Sequence, residues 1–349
     1  MEQLRVDALS PTEIAKKVAE VAKGKSGLDL FRMFMLGILG GAFVAFGAQL
    51  YTLVIHDSSL SLGLTKLVGG IAFSLGLILI VLAGAELFTG NTLMVIAFAQ
   101  RMINTRNLFR SWGIIYGANF AGALAIVFLM YYTEQWGINN SMVGGEALLI
   151  ANTKVNLAFH TAFVRAILAN VLVCLAVWLC FGARSTVDKV FAVIFPVTAF
   201  VAAGFEHSIA NMYFVPMGIW LKGQPSVLAA AEKMSGAGLA LQNLTWSGFI
   251  VRNLIPVTIG NVVGGSILVG LVYWSIYVRE FTWRGLFRLI QIGFELIFFV
   301  RPRRLSRADI AMSLSGFYAV LSRRRPRGRP LPRDLSGMGI DQEKEEQKD

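Results

Sequence analysis

Charge is scarce in this chain: only 15% of its 349 residues are Asp, Glu, Lys or Arg, while 55% are hydrophobic and mean hydropathy is +0.62. So little charge cannot clothe a water-facing surface of that size, which excludes an ordinary soluble globule and places the chain in lipid. Cysteine is nearly absent too. Cys174 and Cys180 lie six residues apart in one apolar segment, where a helix turns them to different faces, so neither a disulfide nor a metal site is indicated. There is no GxGxxG, P-loop or CxxC string, and with no nucleophile, metal or cofactor motif the chain reads as no enzyme. The formal net charge of +11 would suggest nucleic acid in a soluble protein. Here Lys and Arg gather at the ends and in alternate loops, as membrane topology requires, so nucleic acid is discounted and membrane lipid is the expected partner.

A window of about 19 residues finds six long apolar segments, at roughly 31–55, 67–99, 111–132, 157–182, 190–221 and 248–278. The first follows some thirty polar and charged residues and is too long for a cleaved leader. Arg101, Arg106 and Arg110 follow the second segment, and Arg184 and Lys189 follow the fourth, whereas the first connection holds only Lys66; Lys222 and Lys233, in the longer fifth-to-sixth connection, blur the contrast. With the basic residues Lys16, Lys17, Lys23, Lys25 and Arg32 ahead of and at the start of the first span, this asymmetry puts both termini in the cytoplasm. The expectation is an all-α, multi-pass protein of a bacterial inner membrane.

Two of the segments are too long. At 1.5 Å per residue, 33 residues (67–99) or 32 residues (190–221) would make a helix of roughly 50 Å against a hydrocarbon core of about 30 Å. Each holds a polar interruption: Leu-Phe-Thr-Gly-Asn-Thr at 87–92, and Gly-Phe-Glu-His-Ser-Ile-Ala-Asn at 204–211. Non-helical backbone at membrane depth is tolerated only where protein buries it or where it lines a cavity. The second segment in each set of three is the interrupted one, the pattern of an inverted repeat with a site at the midplane. Ionisable residues at that depth are costly, which directs attention to Glu206, His207 and Asn211. Gly113 and Gly117, like Gly260 and Gly264, are small-xxx-small pairs that let helices approach closely.

The strings Phe-Ser-Leu-Gly-Leu-Ile-Leu (73–79), Glu-Leu-Phe-Thr-Gly-Asn-Thr-Leu (86–93), Ile-Leu-Ala-Asn-Val-Leu-Val-Cys-Leu-Ala-Val-Trp (167–178), Gly-Phe-Glu-His-Ser-Ile-Ala-Asn-Met (204–212) and Asn-Leu-Ile-Pro-Val-Thr-Ile-Gly-Asn (253–261) resemble the formate/nitrite transporter family, most of all its bacterial formate channels. The resemblance covers roughly residues 10–280. It implies an aquaporin-like fold of six transmembrane helices with the second and fifth broken, five protomers in a ring and a pore in each, with formate and protons as partners. Nitrite, hydrosulfide, acetate and lactate are the alternative cargoes; an uncharged-solute channel would lack a pore histidine and vestibule lysine. By the same resemblance Phe73 and Leu77 form the cytoplasmic constriction, with Phe200 and Phe205 adding aromatic bulk. Thr89 faces His207, Asn170 and Asn261 are pore-lining amides, and Lys154 is the vestibule lysine that draws anions inward. Arg165 reads as a structural partner, and His56 as a loop residue.

Moving a carboxylate into a dry constriction costs many kcal/mol, and the usual escape is neutralisation. Either His207 supplies a proton so that formic acid crosses, or it stays neutral and donates a hydrogen bond to a passing anion; residue types leave both open. Glu206 is expected to brace the break by accepting hydrogen bonds from backbone or from Asn211. At the ends, Ser10-Pro11-Thr12-Glu13 is a capping box that starts an amphipathic helix, with a stop expected at Gly24. Residues 1–30 thus read as a cytoplasmic N-terminal amphipathic helix, 31–280 as the six-span transport domain, and 281–349 as a basic cytoplasmic tail, partly interfacial and otherwise expected to be disordered, directed at anionic lipid.

Overall fold

The computed structural model describes residues 8–278; the tail from 281 onward lies outside them. Among the described residues the regular elements are helical. The first, α1 (Pro11–Ser26), starts where the capping box places it: Ser10 Oγ accepts the Glu13 N–H, and the Glu13 carboxylate accepts the Ser10 N–H at 2.9 Å. It runs through Gly24, where a stop was expected, and ends at Gly27. A mid-helix Gly costs only about 1 kcal/mol, and the buried stripe Ile14, Val18, Ala22 and Ser26 carries the helix on.

Among the described residues five helices are long and apolar enough to cross a bilayer: α2 (Leu30–Ile55), α3 (Leu62–Gly84), and, after α4 (Phe88–Ala99), α5 (Thr105–Tyr132); then, after α6 (Ile138–Val155), α7 (Phe159–Gly182); and last α11 (Trp246–Tyr277). The remaining elements are α8 (Thr186–Ala202), α9 (Ser208–Leu221) and α10 (Pro225–Ser235). The two overlong apolar segments are therefore broken, into α3 with α4 and into α8 with α9. Gly84 (φ +82°) and Gly204 (φ +68°) turn the chain in the left-handed region that favours glycine. Extended residues follow, Ala85 and Leu87 in the first break and His207 in the second, before each half-helix restarts.

The two halves interlock. Helix α3 packs on α8, the half-helix α4 inserts against α7 and α11 of the other half, and α9 inserts against α2 and α5. Close approach needs glycine at matching points: a Cβ on Gly122 would sit 2.0 Å from the Ile38 carbonyl oxygen, and one on Gly264 would sit 2.2 Å from that of Ile167. Gly260, 2.4 Å by the same measure from the Phe163 oxygen, completes one of the two glycine pairs the sequence flagged. Gly113 and Gly117 meet nothing within 4 Å in the protomer, so that pair makes no close helix crossing here. Gly264→Ala should therefore destabilise the protein by about 1–3 kcal/mol through overpacking, read as a fall in thermal midpoint in detergent. Gly113→Ala should leave the midpoint unchanged or raise it slightly; equal effects at both positions would contradict this packing.

Candidate functional site

Breaking a helix inside an apolar bundle frees backbone groups that need partners. One asparagine supplies them in each half. Asn119 of α5 accepts the Phe88 N–H at 2.9 Å and donates to the carbonyls of Gly37 (2.7 Å) and Glu86 (2.9 Å). Asn261 of α11 accepts the Ser208 N–H at 2.9 Å and donates to the carbonyls of Ala166 (2.8 Å) and Glu206 (3.0 Å). The Glu86 and Glu206 N–H groups donate to Leu36 and Arg165 carbonyls on α2 and α7. The Arg165 side chain adds a long bond to the Gly204 carbonyl, at 3.5 Å.

Each break carries the same spacing, Gly-x-Glu-x4-Asn, as Gly84, Glu86 and Asn91 or Gly204, Glu206 and Asn211. In both, the asparagine amide donates to the glutamate at 2.7 Å. In both, a lysine from a neighbouring helix completes the group. Lys25 of α1 lies 3.1 Å from Glu86 Oε2 and donates to Asn91 Oδ1 at 2.9 Å. Lys154, in the last turn of α6, donates to Glu206 Oε1 at 2.9 Å and sits 5.3 Å from the Phe214 ring centre. Glu206 also accepts from Asn253 at 3.2 Å. The expected bracing role of Glu206 thus comes with a cation attached, and Lys154, expected as a vestibule lysine, is half of an ion pair.

His207 is held by both breaks at once. Its Nδ1 accepts the Ala210 N–H at 3.1 Å, which caps α9, so in the neutral ring the proton sits on Nε2. Nε2–H then donates to Thr89 Oγ1 at 2.8 Å. An imidazolium would turn a second N–H toward the Ala210 N–H and lose the cap.

Two cavities approach this bond from opposite ends. The larger, about 690 Å³, lies on the α1 side, and Lys25, Leu77, Glu86, Leu87 and Asn91 line its inner part. The smaller, about 80 Å³, is lined by Tyr51, Phe73, Lys154, Phe200, His207 and Phe214, among others. Phe73 packs edge-on to Phe200 at 5.8 Å between ring centres, and Phe200 lies 6.0 Å from the His207 ring. Thr89, with no exposed surface, lines neither cavity and stands between them.

Several expected placements change. Phe73 and Leu77 do not share one constriction, because a helical turn, about 5.4 Å, carries them to opposite cavities; Leu87 joins Leu77 instead. Asn170 and Asn261 line neither cavity. The Asn170 amide donates to the Asn261 carbonyl (2.6 Å), Thr92 Oγ1 (3.1 Å) and the Thr89 carbonyl (3.3 Å), tying α7 to α11 and α4, while Asn261 serves backbone of the second break. Phe200 and Phe205 do reach the smaller cavity, beside Glu206. Lys25, Glu86, Asn91 and Asn119 went unread as site residues, although the repeated Gly-x-Glu-x4-Asn spacing marks two of them in the sequence. Among the described residues no group of three or more His, Cys, Asp or Glu gathers to hold a metal.

The formate/nitrite transporter family model matches residues 12–275. The formate channel FocA of Escherichia coli K12 is 43% identical over 278 residues, covering 78% of this chain and 96% of that protein. A probable formate transporter of Methanothermobacter thermautotrophicus is 36% identical, covering 78% and 98%. Among solved structures, a pentameric formate channel with formate bound aligns at TM-score 0.64 and 40% identity, covering 72% of this chain and 98% of that one. An ion channel of the same family aligns at 0.65 and 25% identity, covering 77% and 100%.

Removing one member of a buried ion pair strands the other charge, at about 3–5 kcal/mol when burial is complete. Side-chain exposures of 14% and 4% for Lys154 and Glu206, against 29% and 10% for Lys25 and Glu86, rank the two pairs. Lys154→Met should lower stability by about 3 kcal/mol and Lys25→Met by less. Glu206→Gln combined with Lys154→Met should recover most of the loss in a double-mutant cycle; additive losses would show that the pair does not act as a unit.

Proposed function

The chain belongs to the formate/nitrite transporter family, and from that premise we propose that it carries formate across a membrane, along the line that joins the two cavities through the Thr89–His207 contact. The observation that carries this reading is that contact: a 2.8 Å hydrogen bond between the tips of two half-helices, with open space on either side. The relatives named as formate channels and the structure with formate bound support the cargo. Nitrite, a monovalent anion of similar size, is the second cargo to test. By the same likeness the chain assembles as a homopentamer, each protomer with its own path.

The α1 side is the cytoplasmic one. Arg184 and Lys189 line the same cavity as Lys17 and Lys25, and Arg110 donates to the Leu28 carbonyl, so this face carries more basic residues than the opposite cavity, which Lys66 and Lys154 line. Both termini then lie in the cytoplasm of a cell whose inner membrane holds the protein.

Mechanistically, each lysine offers positive potential at its mouth without a naked charge. The N-terminal ends of α4 and α9 point into the closure and add partial positive charge. A carboxylate that reaches the closure from either side meets two donors, the His207 Nε2–H and the Thr89 hydroxyl. It can take the place of Thr89 Oγ1 as acceptor for His207. With Nδ1 committed to the Ala210 N–H, the geometry favours His207 as a neutral hydrogen-bond donor over His207 as a proton source.

His207→Asn keeps an N–H donor and should retain formate flux within about tenfold of wild type in proteoliposomes, whereas His207→Ala should lose about a hundredfold, about 2.7 kcal/mol in the barrier. Thr89→Val should fall between them. If Asn and Ala are equally dead, and both abolish the internal acidification that accompanies uptake, His207 is a proton donor and the neutral-donor mechanism is wrong.

A further inference from the structure

Tyrosine hydroxyls packed inside a protein find hydrogen-bond partners as a rule, and one without a partner needs a reason. Three tyrosines of the bundle follow the rule. The Tyr213 hydroxyl donates to Gln49 Oε1, the Tyr131 hydroxyl accepts from Gln224 Nε2 at 2.6 Å, and the Tyr116 and Thr258 hydroxyls share a bond of 2.7 Å. Tyr51 of α2 departs from it. It is half-buried, yet its hydroxyl makes no hydrogen bond to any described residue, and Glu146 of α6 acts on it only through space. The unpartnered hydroxyls sealed from solvent are those of Thr198 and Ser208, so the Tyr51 oxygen keeps open space in front of it. The open space that Tyr51 lines is the smaller cavity. Tyr273 and Tyr277, also without hydroxyl partners, line neither cavity.

The Tyr51 ring is clamped. Phe73 and Phe214 pack edge-on to it with ring centres at 6.4 and 5.9 Å, and a Cβ added to Gly69 of α3 would sit 2.9 Å from its Cε2. A donor on so fixed a ring loses little freedom when it binds. The other polar groups of the lining are engaged: Lys154 with Glu206, His207 with the Ala210 N–H and Thr89, and Lys66 electrostatically with Glu146. The cavity's volume of about 80 Å³ has room for about three heavy atoms at about 30 Å³ for each water-sized one. We propose that Tyr51 is a binding residue for the transported anion, its hydroxyl donating to one oxygen of a three-heavy-atom oxyanion seated in the smaller cavity. This deepens the transport reading above and rests on it. An oxyanion that leaves water must replace the hydrogen bonds it loses, and the aromatic walls Phe73, Phe200 and Phe214 offer none. Tyr51 supplies one before the anion reaches the His207 Nε2–H.

The test is Tyr51→Phe in the full-length protein in proteoliposomes, which keeps the ring and its packing and removes only the oxygen. The formate concentration for half-maximal flux should rise about tenfold, the size of one hydrogen bond to a charged acceptor, while maximal flux stays within about threefold of wild type. The thermal midpoint should be unchanged or slightly raised. The rise should be the same at low and high ionic strength, because salt screens a buried hydrogen bond little, whereas a lost rim charge would fade with salt. Glu146→Gln should not raise the half-maximal concentration. No rise in Tyr51→Phe, a fall in midpoint alongside the rise, a rise that fades with salt, or a like rise in Glu146→Gln would each overturn the inference; the second and fourth would assign the hydroxyl to the fold or to Glu146. Wild-type protein that carries no formate would sink the transport reading, and this inference with it, whereas wild-type flux with an unaffected Tyr51→Phe sinks this inference alone.

Discussion

The rest of the structure depends on satisfying backbone freed inside an apolar bundle. An unbroken helix satisfies itself; a helix broken at Gly84 or Gly204 does not, and in hydrocarbon each orphaned group costs several kcal/mol. Asn119 and Asn261 answer this with three hydrogen bonds apiece, one accepted from the restarting half-helix, one donated to a carbonyl within the break and one donated to a carbonyl of the neighbouring helix α2 or α7. The glycines at helix crossings follow from the same need. Asn119 reaches the Gly37 carbonyl, and Asn261 that of Ala166, only because Gly122 and Gly264 let α5 and α11 lie against α2 and α7.

Symmetry and chemistry divide the residues between them. Where the two breaks carry the same residue type, as at Gly84 and Gly204, Glu86 and Glu206, or Asn91 and Asn211, the residues hold the scaffold. Where they differ, they shape the path. Leu87 stands where the other half has His207, and Thr89 where it has Ile209. Two copies of the first break would have given two leucines and two threonines with no imidazole N–H, and two copies of the second would have given two imidazoles and no hydroxyl to accept from them. The departure from symmetry is what makes one donor–acceptor pair.

Much of this was legible in the sequence, for a physical reason. Membrane depth makes polar interruptions expensive, so Glu206, His207 and Asn211 stand out against apolar neighbours, and overlong segments announce breaks. What stayed hidden were partners distant in sequence. Lys25 looks like one more basic residue ahead of the first span, and only the fold brings it 3.1 Å from Glu86. Asn119 sits in a long apolar helix with no break nearby in sequence. Asn170 and Asn261 share a residue type with pore amides, and type alone cannot say whether an amide faces a cavity or a backbone. The opposite placement of Phe73 and Leu77 was hidden because one helical turn is a small step in sequence yet carries the two side chains to different cavities.

The paired lysines carry the last step. A free ammonium at each mouth would bind a small anion tightly and hold it, and conduction needs entry without capture. Pairing Lys154 with Glu206 at 2.9 Å, and Lys25 with Glu86 at 3.1 Å, leaves a dipole whose field falls off faster than that of a charge. On the proposed path these two lysines attract an anion over a short range, and screening over about 8 Å confines the further cations of the cavity rims as well. The glutamates, which look misplaced along an anion's route, thereby reconcile two demands. They anchor the breaks through Asn91 and Asn211, and on the proposed path they would weaken the lysines enough for a carboxylate to leave as readily as it arrives.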